Sequence, residues 1–339
     1  MDLNVAWYLV VILLLAGYSI LDGFDLGVGI LHCLVGSKDY QRRIHLNAIG
    51  PVWDGNEVWL VTAGGALFAG FPEAYATLAS TFYMPLTLLL VGLIFRACAI
   101  EFRSKNESSL WRKTWDLLFS LSSTVIAFAL GMVLGHLIEG LPLDSQAQIV
   151  RDQFTFITPF SLLTGALSVS VFAMHGCTYL LTKTEGEVHD NIREWINPCI
   201  IAFVIIYGTA TMATLVYMPH MAEPFKQYPA LFAIPVLGML AVANIPRQVF
   251  NKRDFRAFLS SCASIALLMG VFALGHFPYL VRTTLAQGTS LDIHNASSSS
   301  LSLSILLTFV AIGIPFILSY TFVIYWVFRG KVRLDSMSY

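Results

Sequence analysis

WDGNEVWLVTAGGALFAGF, Trp53 to Phe71, is the stretch on which the fold turns. It is barely long enough to cross a bilayer core as a helix, which takes roughly 20 predominantly apolar residues. It also carries Asp54 and Glu57 at its start, so hydropathy alone reads it equally as a surface or re-entrant helix. Whether it crosses decides on which side of a membrane the residues before it lie relative to those after it.

Outward from this stretch the chain is a series of apolar runs, at 5–31, 75–100, 115–138, 158–182, 197–219, 229–245, 257–281 and 302–328. These are eight clear candidates for membrane-spanning helices. Of 339 residues, 56% are hydrophobic and 12% are Asp, Glu, Lys or Arg, against about 25% charged residues in a soluble domain. Eight or nine crossings use about half to two-thirds of such a chain. The sequence is therefore read as one integral membrane domain over residues 1–339, all-α and polytopic. The same figures exclude a disordered chain, a collagen-like repeat, a disulfide scaffold and a nucleic-acid binder.

Charge arbitrates between eight spans and nine. With nine, one side holds Lys38, Arg42 and Arg43; Arg103, Lys105, Arg112 and Lys113; Lys183 and Arg193; Arg247, Lys252, Arg253 and Arg256; and Arg329, Lys331 and Arg333, or 16 of the 20 basic residues. Arg151, Lys226 and Arg282 fall on the other side, and Arg96 lies within a span. With eight spans the division weakens to 13 against 6. Basic loops stay in the cytoplasm, so the nine-span bundle is favoured over the eight-span alternative, with the N-terminus outside and the C-terminus cytoplasmic. Met1 and Asp2 precede the first run without a basic segment, so the first helix is expected to be retained rather than cleaved. Trp7, Tyr8, Trp111, Trp115, Trp195, Tyr217, Tyr279 and Trp326, at span ends, suit an interfacial aromatic belt.

An ionisable residue within a span is costly and needs a partner, a wet cavity or a function. On the nine-span topology these residues concentrate in the first three helices. Asp22 and Asp25 share one face of the first; Trp53, Asp54, Asn56, Glu57 and Trp59 open the second; Arg96, Glu101 and Lys105 close the third, the last two spaced as an i, i+4 ion pair. Carboxylates, amides and a Lys at similar cytoplasmic depth suit a hydrogen-bonded water chain that admits protons part-way into the bilayer. Interfacial capping is the plainer alternative, foremost for Glu101 and Lys105.

Histidines in spans are candidate haem ligands. His136, His175 and His276 lie within apolar runs, where a hydrogen-bonded packing role is expected of each. His32, His45, His189, His220 and His294 sit at ends or in loops, where exposure to solvent is expected. No CxxCH or P-loop is present, and Cys33, Cys98, Cys177, Cys199 and Cys262 are scattered singly, as small buried hydrophobes rather than metal ligands.

LDGFDLGVG (Leu21–Gly29), GPVWDGNEVWLVTAGGALFAGFP (Gly50–Pro72) and IFRACAIEFRSK (Ile94–Lys105) closely resemble subunit II of cytochrome bd-type quinol oxidases. The resemblance continues more weakly through TGALSVSVFAMHGCTYL (Thr164–Leu180) and the Ser-rich stretch before the last span. It implies one subunit of a respiratory terminal oxidase of the bacterial cytoplasmic (inner) membrane, which oxidises ubiquinol or menaquinol and reduces dioxygen to water with protons taken from the cytoplasm. It further implies that two haems b and one haem d, or a related set, belong to a partner, subunit I, in a heterodimer that also admits a small single-span accessory subunit. Family members differ at the positions of His136, His175 and His276, so this chain is expected to bind no haem or metal and to be inactive alone. By the resemblance, Glu101 and Lys105 line a hydrophilic path, with Asp54 and Asp25 as further acidic positions. Glu101 stands where some members have Asp. The resemblance also implies that Trp59 and Arg96, with Trp53 and Glu57 beside them, are the positions nearest the partner and its oxygen-reducing haem. Two other readings of the residues are a proton-coupled secondary transporter and a di-haem electron carrier.

Overall fold

A computed structural model describes residues 2–334. In chain order its helices are α1 (Leu3–Val35), α2 (Asp39–Ile49), α3 (Trp53–Gly70), α4 (Pro72–Thr81), α5 (Tyr83–Phe102) and α6 (Ser109–Glu139). There follow α7 (Pro159–Lys183), α8 (Gly186–Tyr217), the short α9 (Glu223–Gln227), α10 (Ala233–Phe250), α11 (Asp254–His276), a ribbon of β1 (Tyr279–Val281) and β2 (Leu291–Asp292), and α12 (Ser300–Val327). Among the described residues eight helices are long and apolar enough to cross a membrane: α1, α5, α6, α7, α8, α10, α11 and α12. The apolar run at 75–100 does not form one helix. It breaks at Phe82 into α4 and α5, because Pro85 lacks the N–H that would continue the earlier helix and its ring crowds the carbonyl of Thr81.

The long helices and α3 alternate in direction. At one end the start of α1 meets the end of α3, where Trp7 Nε1 donates to Ala66 O at 3.0 Å. The end of α3 meets the lead-in to α12 (Ser298 N to Gly70 O, 2.8 Å), and Tyr8 donates its hydroxyl to Ala273 O near the end of α11 (2.8 Å). The loops before α7 and around the ribbon cap this end over an apolar cluster that includes Phe71, Phe82, Leu141 and Val281. At the other end, which carries most of the basic residues, Lys38 pairs with Glu187 at the start of α8 (2.8 Å) and His189 with Asp254 at the start of α11 (3.0 Å).

Helix α1 is the axle, packing against α3, α6, α7, α11 and α12. It runs parallel to α7, and the two backbones touch where Gly27 faces Phe172 O and Gly176: a Cβ on either glycine would overlap the other backbone. Small residues at such a crossing let helices approach to backbone contact, and the dispersion gained holds them together where lipid offers no hydrophobic drive. Asn56 lies beside Asp25 three residues into α3, so α3 starts about 10 Å short of the basic end of α1. Helix α2 folds back over that shortfall, with Tyr179 donating to Ala48 O at 2.8 Å. By contrast α12 is exposed on nearly all sides and buries only Leu303.

Candidate functional site

Three carboxylates and one guanidinium meet between α1, α3 and α5. Asp22 and Arg96, both fully buried, form a bidentate pair: Arg96 Nη1 donates to Asp22 Oδ2 at 2.9 Å and Nη2 to Oδ1 at 2.5 Å. Arg96 Nη2 also donates to Glu57 Oε2 at 3.0 Å, and the Glu57 side chain, 23% exposed, opens onto the surface of α3. A planar, permanently charged fork matches carboxylate geometry, which is why Arg rather than Lys suits this depth. The i, i+3 spacing of Asp54 and Glu57 puts both toward the start of α3, where the helix dipole favours negative charge.

Asp25 is also fully buried but, among the described residues, has no cation within salt-bridge distance. Its Oδ2 accepts from Asn56 Nδ2 at 2.8 Å, and Asn56 Oδ1 accepts from the Tyr325 hydroxyl at 2.9 Å, so one chain of groups joins α1, α3 and α12. Asp25 Oδ1 has no hydrogen-bond partner among the described residues. An unmatched buried carboxylate is expensive in its charged form, and a proton relieves that cost.

The other expected residues lie around this centre. Asp54 is exposed in the first turn of α3, next to Val52, which packs into the core. Trp53 and Trp59 are half-buried, and the Trp59 ring packs against Gly17 of α1. Glu101 is half-buried in the last turn of α5. Lys105 is exposed in a 3-10 turn (Arg103–Lys105), and no ion pair joins it to Glu101 among the described residues. The i, i+4 pairing expected of them fails because α5 ends at Phe102 and the tighter turn rotates Lys105 out of register. Arg96 lies inside the chain rather than on its surface, so its reach toward any partner runs through Glu57.

A second cluster closes the basic end, and sequence reasoning passed it over. Asp116 on α6 accepts from Arg103 Nε at 2.5 Å and Arg42 Nη1 at 2.9 Å, and lies 2.7 Å from His32 Nε2. Arg103 also reaches Asp39 at 2.7 Å, which Arg112 holds at 3.1 Å. This network ties α1, α2, α5 and α6 together. Its signal in the sequence was a lone Asp in the first turns of a long apolar run, three residues beyond Lys113. His32 and His45, expected at the solvent, are fully buried, because α2 covers them. Burial, then the proximity of His32 and Arg42, pulls the His45 imidazole down to about 3 from its ordinary 6.5.

The in-span histidines have packing roles. His175 Nε2 donates to Ile20 O at 2.9 Å, its Nδ1 lies 2.7 Å from Ser261 Oγ, and its ring stacks on Phe258. His136 Nε2 donates to Phe156 O at 2.7 Å and Nδ1 lies 3.3 Å from Glu139. His276 Nε2 donates to Leu280 O at 3.1 Å. With both nitrogens of His175 and His136 engaged by the chain itself, neither imidazole is set to bind iron, so these residues do not fit a haem and no step is routed through one here.

The sequence model of the family described as cytochrome bd terminal oxidase subunit II matches residues 3–328. Cytochrome bd-I ubiquinol oxidase subunit 2 of Escherichia coli (strain K12) is 33% identical over 366 aligned residues, spanning 99% of this chain and 96% of that protein. Cytochrome bd ubiquinol oxidase subunit 2 of Bacillus subtilis (strain 168) is 30% identical over 342 aligned residues, spanning 100% of this chain and 99% of that one. Among solved structures, a chain of the bd oxidase from Geobacillus thermodenitrificans shares the fold with a TM-score of 0.79 at 19% identity, covering 97% of this chain and 99% of that one. The polytopic helical fold, the buried acids beside Arg96 and a family match over nearly the whole length converge: this chain belongs to the family of subunit II of cytochrome bd terminal oxidases.

Proposed function

We propose that this chain is the haem-free subunit of a quinol:oxygen oxidoreductase in the bacterial cytoplasmic membrane, and that it supports a haem-bearing partner while conducting protons toward it from the cytoplasm. Reduction of dioxygen to water consumes as many protons as electrons, so an oxidase that draws those protons from the cytoplasm needs a polar route into the bilayer. The haems, on the partner, supply the electron transfer to dioxygen. The role of this chain is to hold and pass protons.

The observation that carries the reading is Asp25: fully buried, among the described residues without a cation and with one carboxylate oxygen unpartnered, and with the other joined through Asn56 to Tyr325. Glu101, Lys105 and Asp54 lie toward the basic end, at half-buried or exposed positions that water reaches. Protons collected there pass to Asp54 and Glu57 on α3 and are shared with Asp25. Arg96, held by Asp22, keeps Glu57 facing outward, where Trp53 and Trp59 flank the surface that the partner covers. The alternation of nine rods supports α3 as a ninth crossing, with the basic end and the C-terminus in the cytoplasm and the N-terminus outside. A secondary transporter is less well supported, because the buried acids among the described residues, Asp22, Asp25 and Asp116, are confined to α1 and α6, whereas such proteins build a midplane site from two related halves.

The test is quinol-dependent oxygen uptake by the purified complex carrying Asp25→Asn or Glu101→Ala. Turnover is expected to fall at least about tenfold for the first, in the range of a lost proton-transfer group, and measurably for the second, with the haem spectrum unchanged. Wild-type turnover in both variants, with haem content intact, would overturn the proton route.

A further inference from the structure

Three Lys or Arg side chains are buried among the described residues: Arg96, Arg103 and Lys183. The two arginines hold carboxylates. Lys183, at the last residue of α7 and 8% exposed, holds none. Its ammonium donates to Phe328 O, leaving two of its three protons without a side-chain acceptor among the described residues, and it lies over the Tyr179 ring. Its near neighbour in charge is another cation, Lys331, whose Nζ donates to Leu181 O at 3.1 Å. Burying an ammonium beside a like charge is unfavourable unless an anion sits with them.

A cleft of about 260 Å³ opens where these groups meet. It occupies the recess left because α3 starts short of the end of α1, and the segment 328–333 roofs it, pinned by Val332 N to Lys183 O at 2.9 Å. Lys183, Lys331 and Arg333 line it, and among the described residues no Asp or Glu does. The remaining lining is largely apolar, including Val52 and Val327, and it continues onto the bare outer face of α12 at Val323 and Val327. The cleft lies at the ends of α7 and α12, hence at the level where a bilayer passes from hydrocarbon to headgroups.

We infer that this cleft binds the phosphate of an anionic membrane lipid, with Lys183, Lys331 and Arg333 around the headgroup and the acyl chains lying along α12. The inference is separate from the proton route, since none of these residues takes part in it. It is tested on the complex purified with its partner subunit and stripped of lipid by detergent exchange. The thermal midpoint is followed on titration with phosphatidylglycerol, with phosphatidylcholine and with inorganic phosphate, for wild type, for Lys183→Gln and for Lys331→Gln/Arg333→Gln. The tail double variant keeps α7 unaltered, so it stays informative if Lys183→Gln does not fold.

Phosphatidylglycerol is expected to raise the wild-type midpoint at concentrations where phosphatidylcholine does not, and the double variant is expected to need about 25-fold more of it, given roughly fivefold for each of the two basic residues near an anionic surface. Inorganic phosphate matching the lipid's effect would keep the anion site but overturn the lipid as its occupant. No shift in wild type, or an undiminished one in the double variant, would overturn the site.

Discussion

Asp22 and Asp25 stand one helical turn apart on the same face of α1 and are equally buried, yet one is matched by a guanidinium and the other only by an amide. The chemistry of a position here follows from what a distant helix brings to it. His45 shows this in a form that pH exposes. Both of its ring nitrogens lack hydrogen-bond partners among the described residues, and its folded-state pKa lies near 3 against an ordinary 6.5. Between those values the unfolded chain takes up a proton that the folded chain refuses, so stability falls as pH drops from about 6.5 toward 3, by up to roughly 1.4 kcal/mol per unit. We expect His45→Leu to lose nothing at pH 7.5 and to unfold at a higher temperature than wild type at pH 5, as measured by thermal denaturation of the solubilised protein. Sequence made Asp22, Asp25, Glu57 and Arg96 legible because ionisable groups interrupt apolar runs, where they are costly. It did not make His32 and His45 legible, because a histidine beyond a helix end looks solvated until α2 is known to fold over it.

At the scale of the element, hydropathy located the spans to within a few residues in most cases, and α3 coincides with Trp53–Phe71 apart from its last residue. What it could not give was the break at Phe82, since α4 and α5 are continuous in hydropathy and Pro85 alone divides them. Nor could it show which glycines matter. Gly27 and Gly176 are a backbone contact between α1 and α7, whereas Gly208 on α8 has open space where its side chain would be. Gly27→Ala is therefore expected to lower the thermal midpoint and yield sharply, by separating two helices that cannot repack around the added carbon. Gly208→Ala is expected to be neutral or to stabilise by about 0.5–1 kcal/mol, since Gly in a helix interior costs that much relative to Ala. Denaturation of the two variants side by side checks both.

For the whole molecule, the placement of α3 decides which surfaces share a side of the membrane. The loop 36–38 and the turn at Asn106 lie at the same end of the bundle, brought together by the Arg103–Asp39 contact. With α3 as a crossing, Ser37→Cys and Asn106→Cys are expected to react with a membrane-impermeant maleimide only in inside-out vesicles, both alike. Labelling from opposite sides would return the chain to eight spans. Charge counting over 20 basic residues favours nine, because orientation is set by loops and needs no tertiary knowledge. The Asp116 network at the same end was beyond that reading, since it is built from four segments whose mutual approach only the fold specifies.

The Asp22–Arg96 pair also imposes an order on biosynthesis. The two residues are 74 positions apart, with α2, α3 and α4 between them. At about 5–20 residues per second, the ribosome delivers the arginine roughly 4–15 s after the aspartate. Throughout that interval the first helix has a polar defect and no counter-ion from its own chain, so its final release into lipid is tied to the arrival of α5. A product truncated before residue 96 would hold Asp22 in its central helix without the guanidinium that matches it, a costly state for a span.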